Sequence, residues 1–131
     1  MIYVDSSAAV KLILAEAESA ALRTYVATGS LASSAILRTE LSRAVARREP
    51  ARSAAAMRLV GSVTLLAADE AVLETAARLG PPSLRSLDAI HLASALELRD
   101  ELTAFVAYDQ RLLDAASVLG LPVASPGLEL A

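Results

Sequence analysis

The sequence predicts a single α/β domain in which a central, mainly parallel sheet is flanked by helices on both faces. Three observations predict this fold. A length of 131 residues suits one compact domain. Short β-prone apolar segments alternate with longer helical segments along the chain, and no repeat, linker or low-complexity segment interrupts the alternation. We therefore treat residues 1–131 as one domain whose crossover connections keep the strands parallel.

The first half of the chain contains three strand candidates. The β-branched and aromatic residues 2–4 are followed at once by Asp5, a residue type that favours the start of a helix. Pro50 suits the first turn of a helix, and we expect Gly61 to end that helix. The expected elements are, in order, strand 2–4, helix 8–15, helix 18–27, strand 31–34, helix 36–48, helix 50–60 and strand 62–67.

The second half repeats the alternation. Asp69 and Ser86 are each expected to cap a helix, with a break at the Gly-Pro-Pro segment 80–82 between the two helices. Residues 87–98 are apolar nearly all round, as in a buried helix. Gly120 is expected to end the last helix. The expected elements are, in order, helix 69–79, helix 87–98, strand 102–108, helix 109–119 and strand 121–124.

Composition excludes several classes of site and of protein. Apolar residues make up 55% of the chain and charged residues 21%, a mixture typical of neither a disordered segment nor a membrane span. The chain has no cysteine and one histidine, so a metal ion would be held by oxygen atoms or His91, which favours hard cations. Met1 is followed by no basic leader, from which we expect a cytoplasmic protein that is not bound to a membrane.

Two acids stand where strands are expected to end. Asp5 follows the first strand and Asp109 the late one, so both should lie at the edge of a parallel sheet where ligands bind. Each acid also stands where a helix needs an N-cap, and capping alone would explain either residue. Ser6 and Ser7 can cap the first helix and can also hold the Asp5 carboxylate.

Glu40 lies on the border of the apolar stripe of its helix, between Leu37 and Ala44. A carboxylate in that position is expected to be partly buried and to need a partner. The alternative is a solvated acid that pairs with Arg43 or Arg47 on the same helix.

A fourth acid, Asp88, stands in the first turn of the most hydrophobic helix, where the helix dipole favours a negative charge with or without a functional role. His91 lies one turn later. It is a candidate metal ligand or proton carrier, although a single histidine on an apolar helix is more often a hydrogen-bonded core residue.

Four segments around these acids resemble, in order and spacing, the motifs of PIN-domain nucleases and in particular of VapC-type toxins. The third segment is the most specific of the four, and the resemblance extends over nearly the whole chain. The segments are IYVDSSA at 2–8, TEL at 39–41, LDAIHLA at 87–93 and YDQRL at 108–112.

The resemblance implies a metal site built from Asp5, Glu40, Asp88 and Asp109 that hydrolyses RNA phosphodiesters with Mg²⁺, or with Mn²⁺ as a substitute. It also implies an RNA substrate, a homodimer and a cognate VapB-like antitoxin. The residue types suit this chemistry, because Mg²⁺ binds a few carboxylates and retains several waters.

Two other functions stay open at this point. A phosphoryl-transfer domain of the phosphatase or receiver kind also places an acid after a parallel strand. The phosphatases, however, have a second acid two residues later, where this chain has Ser7, and receivers use a late lysine, whereas the only lysine here is Lys11. The second alternative is a catalytically silent PIN-like binding module. Candidate phosphate contacts in any of these functions are Arg38, Arg43, Arg47, Arg48, Arg85 and Arg111.

Overall fold

Five short strands and seven α-helices alternate along the chain in a computed structural model that describes residues 1–128. The last three residues of the expected domain lie outside the described part. The strands are β1 (Ile2–Val4), β2 (Leu31–Ser34), β3 (Thr64–Leu66), β4 (Ala104–Val106) and β5 (Val123–Ala124). The α-helices are α1 (Ser6–Ile13), α2 (Ser19–Val26), α3 (Leu37–Arg48), α4 (Ser53–Ser62), α5 (Glu70–Arg78), α6 (Ser86–Glu97) and α7 (Gln110–Val118), and short 3₁₀ turns occupy Pro50–Arg52 and Arg99–Glu101.

The strands form one sheet in the order β3-β2-β1-β4-β5, and every neighbouring pair is parallel. This confirms the predicted α/β fold. The chain builds outward from β1 to β2 and β3 on one side, and later from β4 to β5 on the other. The strand order therefore reverses between β1 and β4, where Ile2 pairs with Ala104 and Tyr3 with Phe105.

Both faces of the sheet are covered, as the fully buried strand β1 requires. Tyr3 points to the face covered by α6 and α7, where its ring stacks on Phe105 with centroids 5.3 Å apart. Ile2 and Val4 point to the opposite face and pack with Ala8 of α1 and Leu22 of α2. The described helices include none that is long and apolar enough to span a bilayer.

Several predicted helix ends are confirmed. Asp5, Asp69 and Asp109 each accept a backbone N–H bond that caps the following helix. Gly120, expected to end the last helix, follows α7 and has the positive φ of 82° that glycine tolerates at a helix end.

The strands predicted at 62–67, 102–108 and 121–124 are shorter than expected, and two predicted capping positions are wrong. Gly61 does not end its helix, because α4 continues to Ser62 and stops only where Val63 turns to extended backbone before β3. Ser86 does not cap α6. The N-cap position is occupied by Arg85, whose extended backbone (ψ 149°) makes Ser86 the first helical residue. No side chain caps this end of the helix.

Candidate active site

The site lies at the carboxyl edge of the sheet, where the strand order reverses. Asp5 directly follows β1, and Asp109 follows the neighbouring β4 after two further residues. The Asp5 backbone N–H donates to the Val106 carbonyl at 3.2 Å, which holds the two strand ends together. The prediction that both acids project from one edge, at neighbouring strands, is confirmed. Such an edge is where open parallel sheets bind their ligands.

Asp5 is a buried carboxylate, with 3% of its surface exposed. Its side chain accepts hydrogen bonds from Ser7 Oγ, at 2.7 and 2.9 Å, and from the Ala8 N–H at 2.9 Å. Burial, with a smaller contribution from the charge of Asp88, raises the pKa of Asp5 to about 6, while His91 and these hydrogen bonds oppose the shift. Asp5 is thus the N-cap of α1 and also a buried carboxylate whose ionised form is destabilised by burial. Capping alone does not require this burial.

Asp88 and Asp109 share one cation, Arg85, which immediately precedes α6. The guanidinium lies 3.5 Å from Asp88 through Nε and 3.4 Å from Asp109 through an Nη. Burial raises the pKa of Asp88, and the charge of Asp109 raises it too, while Arg85 lowers it. Asp109 also caps α7 by accepting from the Arg111 N–H at 2.8 Å.

Glu40 is partly buried and paired, as predicted. Its partner is His91, whose Nε2 lies 2.8 Å from Oε1, and not Arg43 or Arg47. Ser6 Oγ donates to the other carboxylate oxygen at 3.3 Å.

His91 is the hydrogen-bonded core residue that its apolar helix indicates. It is almost fully buried, its Nε2 contacts Glu40, and its Nδ1 lies 2.8 Å from the hydroxyl of Tyr3. Both ring nitrogens are therefore engaged within the protein. Sequence reasoning missed the Tyr3 contact, because no spacing signal links residues that are 88 positions apart.

Three of the four predicted acids lie close to one another, and the fourth is linked to them by hydrogen bonds. The charge of Asp88 acts on Asp5, and that of Asp109 acts on Asp88, so these three lie within electrostatic reach of one another. Glu40 joins them through His91 and Ser6. Among residues 1–128, however, no three histidine, aspartate or glutamate side chains are arranged to hold a metal ion. The oxygen donors suit Mg²⁺ bound by one or two carboxylates and waters, and they do not form a closed cage.

A model of the PIN domain matches residues 2–118 of this chain. Over 97% of its length the chain is 44% identical to "Ribonuclease VapC47" of Mycobacterium tuberculosis (strain CDC 1551 / Oshkosh), of which 98% is covered. The chain is a PIN-domain protein of the VapC family. It is also 44% identical to "Ribonuclease VapC46" of Mycobacterium tuberculosis (strain ATCC 25618 / H37Rv), over 95% of this chain and 97% of that one.

The fold of this VapC-family protein also matches a solved structure. The crystal structure of Mycobacterium tuberculosis VapC20, described as a sarcin-ricin loop cleaving toxin, superposes with a TM-score of 0.74 and covers 96% of this chain and all of that one. Sequence identity in that comparison is 20%, so the likeness concerns the fold.

Two open clefts flank the acids, and sequence reasoning identified neither. The first, of about 380 Å³, lies between residues 80–85 and α7 and includes Asp88, Asp109, Arg85 and Arg111. The second, of about 430 Å³, lies between α1 and α3 beside Glu40 and includes Arg43 and Arg47. Four of the six candidate phosphate contacts therefore border the acidic region. Arg48 instead pairs with Glu16 at 3.0 Å, and Arg38 lines neither cleft.

Proposed function

We propose that this protein is a magnesium-dependent endoribonuclease that hydrolyses RNA phosphodiester bonds and acts as the toxin of a type II toxin–antitoxin pair. The observation that carries the proposal is the convergence of Asp5, Asp88 and Asp109 at the strand-order reversal of a VapC-family chain. Naming of its relatives as ribonucleases supports the RNA substrate.

In this proposal Asp5, Glu40, Asp88 and Asp109 form the site for Mg²⁺, or for Mn²⁺ as a substitute, with one or two of the carboxylates binding the metal directly and the others acting through its waters. The bound metal would neutralise phosphate charge and lower the pKa of the attacking water. The chain's own residues then hold the oxygens in place. Ser7 and the Ala8 N–H fix the Asp5 carboxylate, and His91 and Ser6 fix that of Glu40.

Arg85 has a distinct part in this mechanism. Its side chain is 77% exposed and contacts Asp88 and Asp109 at the same time. The fork of donors on the guanidinium also suits an RNA phosphate, so Arg85 would be available to the substrate once these carboxylates have other partners. The arginine would thus balance the acids before binding and bind substrate afterwards.

The partners belong to the same proposal: a VapB-like antitoxin, a second copy of the chain in a homodimer, and action in the cytoplasm. Family membership makes the phosphatase and receiver alternatives untenable. A silent binding module is separated from a nuclease by the assay below.

The test is cleavage of total RNA by purified protein with Mg²⁺, with a chelator, and with the Asp88→Asn variant. Asp100→Asn is the matched control, because Asp100 is an exposed acid in the 3₁₀ turn after α6. We expect discrete cleavage sites with Mg²⁺ for the wild type and for the control, and none for Asp88→Asn or in chelator. Cleavage that persists in chelator would refute the metal dependence. If no RNA is cleaved under any condition, the protein is instead the catalytically silent binding module.

A further inference from the structure

We propose that the cleft between residues 80–85 and α7 is a subsite for one unstacked nucleobase of the RNA, next to the phosphate that is cleaved. This inference rests on the proposed ribonuclease function and adds a base-binding site to it. The cleft begins at Asp88 and Asp109, so a nucleotide whose phosphate reaches these acids has its base within range of the cleft. Its volume of about 380 Å³ falls in the range of about 300–1,000 Å³ found for small-ligand sites.

The walls of the cleft have the chemistry that the face of a base requires. Pro81 and Leu84 contribute from the segment before α6, and Ala115 and Leu119 from α7. Val118 also lines the cleft and has 87% of its surface exposed. Proteins recognise single-stranded RNA largely by stacking splayed-out bases on aromatic rings or on arginine guanidinium planes. In this cleft the guanidinium of Arg85 or Arg111 would supply the plane, and the apolar side chains would contact the rest of the base.

The charges of the cleft favour a base over a phosphate in its interior. Asp88, Asp109 and Asp114 all line it, and their negative charge repels a phosphate, whereas an uncharged base meets no such repulsion. Arg85 and Arg111 also line it and are available to the flanking phosphates.

The second cleft gives the RNA a continuous path. Arg43 and Arg47 line it on the other side of the acids, beside Glu40. An RNA chain bound along these arginines would place one phosphate at the carboxylates and the next base in the first cleft. The basic side chains therefore flank the acidic region on both sides, although the net charge of the whole chain is −3.

The test compares the binding of two fluorescent single-stranded RNA 12-mers, one with bases and one abasic, in chelator so that neither is cut. Ala115→Leu fills the cleft from its floor, and Ser117→Leu on the exposed side of the same helix is the matched control. We expect Ala115→Leu to weaken binding of the normal 12-mer about five-fold or more, as expected for loss of one stacked base, and to leave abasic binding unchanged. The control should bind both RNAs like the wild type.

Melting curves establish that Ala115→Leu is folded. If it is not, Val118→Ser at the exposed rim replaces it, with a smaller loss in the same direction. Equal weakening of both 12-mers, or no weakening, would overturn the inference. It would also be overturned if RNA binding stayed normal while the variant no longer bound the cognate VapB-like antitoxin, since the cleft would then be a protein site.

The two proposals fail differently. Base-dependent weakening in a protein that never cleaves RNA would sustain the subsite and refute the nuclease. Asp88-dependent cleavage by a protein whose Ala115→Leu variant binds both 12-mers normally would sustain the nuclease and refute the subsite.

Discussion

Nε2 of His91 lies 2.8 Å from Oε1 of Glu40, which ties a buried ring on α6 to a carboxylate on α3. The other ring nitrogen lies 2.8 Å from the hydroxyl of Tyr3 on β1. A single chain of two hydrogen bonds therefore runs from the central strand to the candidate site. Since Glu40 also accepts from Ser6, its carboxylate has little freedom to rotate.

Breaking this chain at its far end should weaken both the fold and the reaction. Tyr3→Phe keeps the stacking on Phe105 but leaves Nδ1 of His91 without its partner, and we expect the free energy of unfolding to fall by about 1–3 kcal/mol. In RNA cleavage, kcat should fall by a larger factor than KM changes, because Glu40 is held less firmly while the clefts are unchanged. Urea denaturation and steady-state kinetics measure the two effects. Tyr25→Phe on α2 is the control, and equal behaviour of the two variants would contradict the prediction.

Asp5→Asn should make the metal-free protein more stable at neutral pH. Asparagine caps helices as well as aspartate does, so α1 keeps its start. Because the pKa of Asp5 is raised from 3.8 to about 6, ionisation of Asp5 costs the folded state stability. This loss of stability is absent below pH about 4 and develops as the pH rises through 6. It amounts to roughly 3 kcal/mol of the free energy of unfolding at pH 7.

Chelator-treated melting curves of both proteins at pH 4 to 7.5 provide the measurement for Asp5→Asn. The difference in melting temperature between the variant and the wild type should increase with rising pH. A gap that is constant across this range would show that the buried charge is not its cause.

Asp88→Asn should abolish RNA cleavage and raise the metal-free melting temperature. The pKa of Asp88 is raised, chiefly by burial and then by Asp109, so the folded protein holds its ionised form at a cost that asparagine removes. If Asp88 served only the helix dipole, the same substitution would lower the melting temperature slightly and leave cleavage intact. Two measurements distinguish these outcomes: Mg²⁺-dependent RNA cleavage, and the melting temperature in the presence of chelator. Asp100→Asn is the control in both.

Arg85→Gln should strengthen metal binding and weaken RNA binding. The substitution removes a cation that lies 3.4–3.5 Å from two proposed metal ligands and competes with the metal for their charge. It also removes one phosphate contact, so the salt dependence of RNA binding should fall by about one unit of slope. Calorimetric titration with Mn²⁺ and anisotropy at several salt concentrations test this, with Arg78→Gln on α5 as control. Weaker Mn²⁺ binding would show that Arg85 supports the metal site.

The sequence predicts those parts of the site that depend on local signals. Asp5 and Asp109 follow β-prone runs and cap helices, so their place at one edge follows from the parallel fold. Glu40 lies at the border of an apolar stripe, which predicts a partner but not its identity. His91 is 51 positions away, and only packing of α6 against the sheet brings it there.

Other features depend on local backbone geometry that residue types do not specify. Ser86 is a good capping residue, yet the extended conformation of Arg85 places it inside the helix. Gly61 is compatible with a helix and lies in one, because the turn into β3 comes two residues later. The first cleft depends on the path of residues 80–85, for which composition predicts only a break.

The acids that gather at the sheet edge come from widely spaced points of the chain, from position 5 to position 109, and from four different elements. No fragment that ends before β4 contains the complete set, and no local folding unit can bring its members together. During synthesis, a chain that carries the proposed activity would therefore remain inactive until nearly the whole polypeptide has emerged and folded. Partial unfolding that separates these elements would likewise abolish the activity.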